Sequence, residues 1–428
     1  MTTLAASPPD IALAARLFDE LARRTADPSG EGITRTAYGM GEGIAHDILR
    51  REAVALGLEV RTDAAMNLYA TLPGAQAGPA VFVGSHLDSV PRGGNFDGAA
   101  GVLMGLAVAA GFVHAGCRPP LALTVMAIRA EESTWFPASY IGSRAAFGRL
   151  SADELATLRR AGDGVTLGDA IDGVGGDAGA LRAGAARLAP KDVALFIEPH
   201  IEQGPVLLGG GDALGFATGI RGSFRHREAV CHGGYAHSGA TPRDHRRDAV
   251  RAFAALVQAM EAIWTRRERA GEDLTITFGQ VGTDPAEAAF SKVAGWVSFA
   301  IDVRSAESAT LDAVAADLAQ AVAEIEADAG VRFDLGPRTG SSPARMHPRI
   351  VATLEAAARA SGVAARVMAC GAGHDAAVFA GMGVPAGMIL LRNANGSHNP
   401  AEAMALEDFA AGAEVLARVV AAPPEFCA

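Results

Sequence analysis

Residues 81–90 read Val-Phe-Val-Gly-Ser-His-Leu-Asp-Ser-Val, and residues 93–98 follow as Gly-Gly-Asn-Phe-Asp-Gly. The first half of this stretch is apolar, which predicts a buried strand. Polar residues begin where the strand ends, and His86 and Asp88 are two apart, so they point to the same side of an extended chain. A glycine-rich turn carrying Asp97 then leads into a second apolar run that predicts a helix. A strand, a polar turn and a helix in this order favour an α/β layer.

The same alternation extends through the first half of the chain. Apolar runs predict strands at 68–72, 80–84, 121–128 and 193–197, and helical periodicity predicts helices at 10–24, 41–57 and 98–115. This order favours a largely parallel or mixed sheet. Ligands in open α/β sheets collect beyond the carboxyl ends of the strands, so the polar residues that follow each strand are the candidate site.

From about residue 214 the predicted order of strands and helices changes, and it indicates a complete small domain. The predicted order is a strand at 224–231, a helix at 247–270, strands at 274–281 and 295–304, a helix at 307–329 and a strand at 331–335. That β-α-β-β-α-β order is the split ferredoxin-like unit. The chain then returns to α/β alternation, with a helix at 348–361 and strands at 364–369 and 386–391. We therefore predict a catalytic domain at 1–213 and 336–428, and an inserted domain at 214–335.

Composition limits the class of protein. A chain of 428 residues exceeds one usual core, and with half of its residues hydrophobic it suits a globular enzyme. The net charge of −11 argues against a nucleic-acid partner. The most apolar segment, 101–114, is short and interrupted by glycine, so no membrane partner is expected, and the N-terminus does not resemble a signal peptide. Cysteines 117, 231, 370 and 427 show no paired spacing, which favours the cytoplasm.

Three carboxylate residues have both a structural and a catalytic interpretation. Asp97 could cap the helix that follows it, or it could bridge two divalent ions. The adjacent Glu131 and Glu132 follow the strand at 121–128 and could form an exposed turn. Beside a metal, one of them could ligate while the other acts as general base.

Further candidates lie after other strands. His200 and His398 could be polar loop residues, but three histidines with two carboxylates suit zinc or manganese. In the inserted domain, His237 lies in a glycine-rich loop. Arg304 ends a strand, where it could pair with a surface acid or clamp a substrate carboxylate.

These strings resemble the metal-dependent amidohydrolases of the M20 peptidase superfamily. More narrowly, they resemble its N-carbamoyl-L-amino acid hydrolase, β-ureidopropionase and allantoate amidohydrolase branch. The resemblance spans nearly the whole chain and rests on Gly-Ser-His86-Leu-Asp88, Gly-Gly-Asn-Phe-Asp97-Gly, Glu131-Glu132, His200-Ile-Glu-Gln203-Gly, Ala-His237-Ser-Gly, Gly-Ala-Gly-His374-Asp375-Ala and Ser-His398-Asn-Pro. The string around His200 discriminates best, because aminoacylase and carboxypeptidase relatives generally carry an acidic ligand there.

The resemblance implies a mixed-sheet metallohydrolase domain with an inserted lid and dimerisation domain, and it implies a role for each matching residue. Two divalent ions, zinc first and manganese, cobalt or nickel as alternatives, would be held by His86, Asp97, Glu132, His200 and His398, with Asp97 bridging. Asp88 would support the ligands, and Glu131 would be the acid/base. His237 would reach the active site of the partner subunit in a homodimer and stabilise an oxyanion. Gln203, Arg304 and His374 would contact the substrate.

Three departures from the family pattern bear on the substrate. Ser133-Thr134-Trp135-Phe136 stands where the family commonly has Gly-Ser-Arg-Phe, Ser291 stands where an asparagine helps to hold a substrate carboxylate, and Arg243 stands where methionine is common. We therefore count Trp135 and Ser291 among the substrate-binding positions that set this chain apart.

The expected function is hydrolysis of a linear C–N bond in a small carboxylate-bearing substrate, an N-carbamoyl-L-amino acid first. Allantoate or ureidoglycolate hydrolysis, or cleavage of an N-acyl or peptide bond, are alternatives that use the same residues. A non-catalytic binding protein of the same fold is a third interpretation. The retention of every metal position and of Glu131 argues against it.

Overall fold

The computed structural model describes residues 7–426, so Cys427 lies outside the described residues. In chain order, the strands are β1 (Glu59–Thr62), β2 (Leu68–Leu72), β3 (Ala80–His86), β4 (Leu123–Ile128), β5 (Val193–Ile201), β6 (Leu214–Ile220), β7 (Gly222–His232), β8 (Ala236–His237), β9 (Thr275–Thr283), β10 (Lys292–Val293), β11 (Trp296–Ser305), β12 (Arg332–Asp334), β13 (Arg338–Ser341), β14 (Ala344–Arg345), β15 (Ala365–Cys370) and β16 (Ala386–Leu391).

The helices are numbered in the same way. They are α1 (Ile11–Arg24), α2 (Met40–Ala55), α3 (Ala99–His114), α4 (Ile141–Ala146), α5 (Ala152–Thr157), α6 (Leu167–Gly173), α7 (Ala178–Arg182), α8 (Val206–Gly210), α9 (Ala249–Arg269), α10 (Ser308–Ala329), α11 (Pro348–Ala360), α12 (Ala376–Gly381) and α13 (Leu406–Ala421). Short 3₁₀ turns lie at Pro190–Asp192 and Arg243–His245.

The chain forms two compact units. The larger one runs to Thr218 and resumes at Arg345, and the smaller one spans Gly219–Ala344. Both boundaries lie later than the predicted 214 and 335. The first is later because β6 pairs with β16 and so belongs to the larger sheet. The second is later because β13 pairs with β7 and so belongs to the smaller one.

The larger unit is built on a mixed sheet with the order β1-β2-β4-β3-β5-β16-β6, and β14 and β15 both lie beside β6. The four central strands β4, β3, β5 and β16 run parallel, whereas β2 and β6 flank them antiparallel. Their central positions explain why their sequences are continuously apolar, since parallel strands are covered on both faces. The predicted mixed-sheet α/β fold class is confirmed.

Helix α3 is the central helix of the larger unit. It packs on β3, β4 and β5 and is in turn covered by α1 and α13. All but two of its residues are buried, which its alanine- and glycine-rich sequence allows because small side chains let neighbouring elements approach closely. At Gly101, for example, a Cβ would come within 2.0 Å of the Pro199 carbonyl oxygen. This close approach brings the start of α3, next to Asp97, against β5.

The smaller unit has the strand order β12-β7-β11-β9, and all of its ladders are antiparallel. With α9 and α10 following the first and third strands, this is the β-α-β-β-α-β arrangement that the sequence predicts. Its core is apolar and includes Phe224, Leu256, Phe299 and Val314. The strand β13 is an addition to that pattern, and a second two-stranded sheet joins β8 to β10.

The region between β4 and β5 contains α4 to α7, which the sequence analysis did not predict. These helices have five to seven residues each. Helices this short carry little periodicity, so they depend on tertiary packing. They enclose a separate apolar cluster around Phe136, Ile141 and Leu155.

No helix in residues 7–426 combines the length and the apolar character that a membrane crossing requires.

Candidate active site

The carboxyl ends of the four parallel strands place the predicted site residues at one edge of the larger sheet. His86 ends β3, and His200 lies near the end of β5. Glu131 and Glu132 follow β4, and His398 lies in the loop after β16. Parallel strands end at the same edge, so residues separated by more than 300 positions in the sequence meet there.

His86 and His200 are oriented by backbone carbonyl groups. The Nδ1 atom of His86 lies 3.1 Å from the carbonyl oxygen of Asp88, and that of His200 lies 2.9 Å from the carbonyl oxygen of Ile201. A carbonyl oxygen only accepts, so each Nδ1 carries the proton, and Nε2 faces the other ring. The two Nε2 atoms are 3.4 Å apart. Both rings are thus held as metal ligands are usually held.

Asp97 lies between two groups of ligand-type atoms. Its Oδ1 atom is 3.1 Å from Nε2 of His200 and 3.5 Å from Nε2 of His86, with no well-aligned hydrogen bond to either. Its Oδ2 atom is 3.4 Å from Nε2 of His398. Helix α3 is capped by Gly98 without a side-chain hydrogen bond, so Asp97 does not cap it. Burial opposes ionisation, but the three histidines outweigh it and hold the pKa of Asp97 well below its usual value.

Glu132 completes the second group. Its Oε1 atom lies 3.3 Å from Nε2 of His398. Hydrogen bonds to Asp97 and Glu132 raise the pKa of His398 to about 11. Burial likewise opposes protonation of His86, yet the neighbouring carboxylates of Asp88 and Asp97 raise its pKa well above the usual value. These acids attract a positive charge to the space between the side chains, which a divalent cation would supply in place of the protons.

Glu131 lies beside the ligand-type residues and is buried. Its Oε2 atom is 4.0 Å from Nε2 of His86. Burial raises its pKa well above the usual value, against the charge of His86 and with the help of Glu132. A buried carboxyl group beside a candidate metal site is a candidate for proton transfer. Both Glu131 and Glu132 are less than one-tenth exposed, so the interpretation as an exposed turn is wrong.

Asp88 supports this pair through the backbone. Its two carboxylate oxygens accept hydrogen bonds from the N–H groups of Glu131 and Glu132, each at 3.1 Å. Asp88 also lies 3.4 Å from Nδ1 of His86. One buried carboxylate therefore fixes the end of β4 against the end of β3.

The geometry fits a pair of divalent cations. Ligand-type atoms form three sets, and within each set they lie within 4.8 Å of one another. The sets are His86, Asp97 and His200; His86, Glu131 and Glu132; and Asp97, Glu132 and His398. A carboxylate oxygen with no good hydrogen-bond donor is costly to bury, and a bound cation would satisfy Asp97 Oδ1. Imidazole nitrogens and carboxylate oxygens at this spacing suit zinc and the neighbouring transition metals.

Three supporting residues were not singled out by the sequence analysis. The Oγ atom of Ser397 lies 2.6 Å from Asp97 Oδ2 and 2.6 Å from Glu402 Oε2. Glu402 Oε1 accepts from the N–H groups of Phe96 and Asp97. Arg35 is fully buried and donates to the Asp97 carbonyl oxygen. Ser397 and Glu402 lie just before and after His398 in the chain and so carried a sequence signal, whereas Arg35 carried none.

The predicted substrate contacts in the larger unit already have protein partners. Gln203 Nε2 donates to Asp97 Oδ2 at 2.9 Å. His374 is buried, with Nε2 3.1 Å from the sulfur of Cys370 and its ring 4.3 Å from that of His200. Trp135 packs in the apolar cluster under α4 to α7, and its Nε1–H donates to the Ser89 carbonyl oxygen. Their roles toward a substrate stay predictions.

The smaller unit brings His237 and Ser291 together. The ladder between β8 and β10 pairs His237 with Lys292, and the N–H of Ser238 donates to the carbonyl oxygen of Ser291. Arg304 donates to Asp302 through Nε and Nη2, at 3.2 and 2.9 Å. The ion-pair alternative for Arg304 is thus present within this unit, and its role as a carboxylate clamp stays a prediction.

Known proteins of the same fold and similar sequence cover almost the whole chain. Allantoate amidohydrolase of Escherichia coli is 35% identical over 399 residues, 92% of this chain and 93% of that protein. N-carbamoyl-L-amino-acid amidohydrolase of Paenarthrobacter aurescens is 33% identical over 405 residues, 94% and 95% of the two chains. The crystal structure of an amidase of the hydantoinase/carbamoylase family from Burkholderia multivorans superposes with a TM-score of 0.85 at 29% identity, over 97% and 98%. The sequence model of peptidase family M20/M25/M40 matches residues 82–422, and the chain belongs to that family.

Proposed function

We propose that this chain is an amidohydrolase that cleaves a linear carbamoyl or ureido C–N bond in a small carboxylate-bearing substrate, an N-carbamoyl-L-amino acid first. The observation that carries the proposal is the convergence of four side chains around Asp97, with Glu131 beside them. These four are His86, Glu132, His200 and His398. The substrate class is supported by the relatives, two of which are named for allantoate and N-carbamoyl-L-amino acids.

The five ligand-type residues would hold two divalent ions, with Asp97 between them. When bound, such ions polarise a carbonyl group and lower the pKa of water toward neutrality. We propose zinc first, because its preferred ligands are imidazole nitrogen and carboxylate oxygen in this mixture, and manganese, cobalt or nickel as alternatives.

Glu131 would move the proton in this reaction. Its carboxylate would take a proton from water as the water oxygen bonds to the carbonyl carbon, and it would deliver that proton to the leaving nitrogen as the C–N bond breaks. Burial raises the pKa of Glu131, which favours its holding the proton between the two steps. For a ureido substrate, the carbamate that leaves decays to carbon dioxide and ammonia.

His237 would stabilise the negative charge that develops on the substrate oxygen. Its Nδ1 atom accepts hydrogen bonds from the N–H groups of Gly239 and Ala240, at 3.2 and 3.1 Å. In a neutral ring the proton is then on Nε2, which leaves an N–H donor facing outward. Such a pre-oriented donor is what an oxyanion requires. Arg304 would take the substrate carboxylate.

Ammonia release is the expected result that tests the proposed activity. The protein, loaded with zinc or manganese, should release ammonia and free amine from at least one of N-carbamoyl amino acids, allantoate and ureidoglycolate. N-acyl amino acids serve as the comparison, because their hydrolysis gives an amine without ammonia. Turnover of the N-acyl series alone would establish the alternative amidase, and the absence of ammonia across all ureido acids would refute the proposed substrate class.

We also propose a homodimer formed through the smaller unit. Strand β9 is at the edge of its sheet, and Val281 on this strand and Phe290 after it are exposed. An edge strand with apolar side chains in solvent is a template for pairing with a second copy.

A cytoplasmic location is supported by Cys117, Cys231 and Cys370, which are free thiols as in a reducing compartment.

Subunit complementation tests whether His237 serves the partner's site. Dimers of Glu131→Gln and dimers of His237→Ala should each be nearly inactive. After subunit exchange, half of the dimers are mixed, and each mixed dimer has one site with both residues intact, so activity should return to about a quarter of wild type. Sedimentation of the wild-type protein should give a dimer. Mixed subunits that stay inactive would contradict the exchange of His237 between subunits.

A further inference from the structure

Ala130 precedes Glu131 and has an unusual backbone conformation. Its φ angle is 53°, in the left-handed region that residues with a Cβ avoid. The residue is fully buried. A backbone of this kind persists only when the surrounding contacts hold it in place. Because Ala130 adjoins Glu131, its backbone conformation contributes to the direction in which Glu131 leaves the chain.

Glu42, in the first turn of α2, provides such a contact. Its side chain is fully buried, and Oε1 accepts a hydrogen bond from the N–H of Ala130 at 2.9 Å. Its Oε2 accepts from Arg129 Nη1 at 2.8 Å and from the N–H of Tyr38 at 2.7 Å. Both oxygens are therefore used, and the charge is compensated by a buried arginine. An unpaired carboxylate in this place would be too costly to keep.

The next two N–H groups along the chain are held in the same way. Those of Glu131 and Glu132 donate to Asp88, so three successive N–H groups after β4 end on two buried carboxylates. On the other side of the chain, the N–H of Ile141 donates to the Ala130 carbonyl oxygen at 3.1 Å. Glu42 and Asp88 thus hold consecutive peptide groups of one turn from two different elements.

We propose that Glu42 is a positioning residue for Glu131, which it serves by holding Ala130 in the left-handed conformation. The inference rests on the proposed function, in which Glu131 moves the proton. A role limited to stability would affect folding but would leave the orientation of Glu131 in the folded protein unchanged. The two roles differ in what they do to kcat and to the backbone of residues 130–132.

Glu42→Gln is the informative variant. The side-chain amide has one acceptor oxygen and one donor nitrogen. The oxygen is expected to take the Oε2 place, where a charged arginine and the N–H of Tyr38 both donate. The amide nitrogen then faces the N–H of Ala130, so the change removes that one hydrogen bond and preserves the packing.

Asp273→Asn is the matched control. Asp273 accepts from Arg221 Nε at 2.9 Å and from the N–H of Ala306 at 2.8 Å, so it too joins an arginine to a backbone N–H. It lies in the smaller unit. A carboxylate-to-amide change at an arginine pair is therefore matched in chemistry.

We expect kcat per bound metal to fall by about ten- to a hundredfold in Glu42→Gln, as is usual for a misplaced catalytic group, with KM and metal content near wild type. Asp273→Asn should keep wild-type kcat. Hydrogen–deuterium exchange of the peptide covering residues 129–133, measured without substrate, should be faster in Glu42→Gln than in wild type or the control.

Two results would overturn the inference: a kcat per bound metal within about twofold of wild type, or unchanged exchange at 129–133. If Glu42→Gln fails to fold, the double variant Glu42→Met/Arg129→Met replaces the buried pair by apolar side chains and still removes the acceptor for Ala130, and it should give the same loss of kcat and faster exchange. A wild-type protein that releases no ammonia would refute the proposed function. The exchange comparison would still decide the positioning role.

Discussion

Glu131→Gln should lower turnover by about 10²–10⁴-fold while two metal ions per chain stay bound. The amide is the same size as the carboxyl group but can neither accept the proton from water nor deliver it to the leaving nitrogen. Glu131 is buried next to Glu132, and burial raises its pKa. Glutamine has the same size and carries no charge that burial opposes, so the Tm should equal or exceed that of wild type. Steady-state kinetics, metal analysis and thermal unfolding together check the three parts.

The neighbouring Glu132→Gln is the matched control for this prediction. Glu132 Oε1 faces His398 Nε2 at 3.3 Å, in a set of ligand-type atoms with Asp97. Its amide variant should therefore lose metal, the opposite pattern from Glu131→Gln. Loss of metal in Glu131→Gln would make Glu131 a ligand, and full turnover in that variant would exclude it as the proton carrier.

Asp97→Asn should have the second large effect, which is the loss of both metal ions. Asp97 Oδ1 faces His86 and His200, and Oδ2 faces His398, so one residue contributes to both positions. A neutral amide is a weak ligand. Removal of a residue that only supports a ligand commonly costs about 10–100-fold in metal affinity. The loss of a shared ligand should exceed that, and turnover should fall with metal content.

Thermal unfolding gives a second measurement of the same change. Metal at about a hundred times its Kd should stabilise the wild-type protein by about 2.7 kcal/mol for each bound ion through preferential binding to the folded state. Asp97→Asn should lose this gain. Asp10→Asn is the control, since Asp10 caps α1 by accepting from the N–H of Leu13 at 2.8 Å. Asparagine caps a helix as well as aspartate, so Asp10→Asn should keep the wild-type metal response. A wild-type metal response in Asp97→Asn would instead favour a structural role for Asp97.

The elements of the fold could largely be predicted from local sequence patterns. The strand predicted at 68–72 has those bounds, and the helices predicted at 10–24 and 348–361 begin and end within one residue of the observed α1 and α11. Long apolar or periodic segments carry their own signal. The boundary of the inserted domain could not be read in this way. It depends on β6 pairing with β16, a contact across more than 150 residues of sequence.

Some residues of the candidate site could likewise be predicted from the sequence, and others could not. Residues after strand ends could be recognised as ligand-type groups, and the resemblance gave each of them an expected role. Trp135 shows where this reasoning stops, because its indole N–H is used by the Ser89 carbonyl oxygen inside an apolar cluster. Glu42 carried no signal at all, since glutamate in the first turn of a helix is ordinary and its partner Ala130 is 88 residues away.

The sequence by itself determined the long strands and helices and which chemical groups follow the strands, because strand and helix periods and strand-end polarity are local properties of the chain. Only the tertiary structure decided what those groups do there. It placed the two oxygens of Asp97 toward different histidines, whereas the sequence alone could not decide between a helix cap and a metal ligand. It also set the proton of His200 through the Ile201 carbonyl oxygen and brought Glu42 against Ala130. Hydrogen bonds and burial depend on distances that are set only when distant segments pack together.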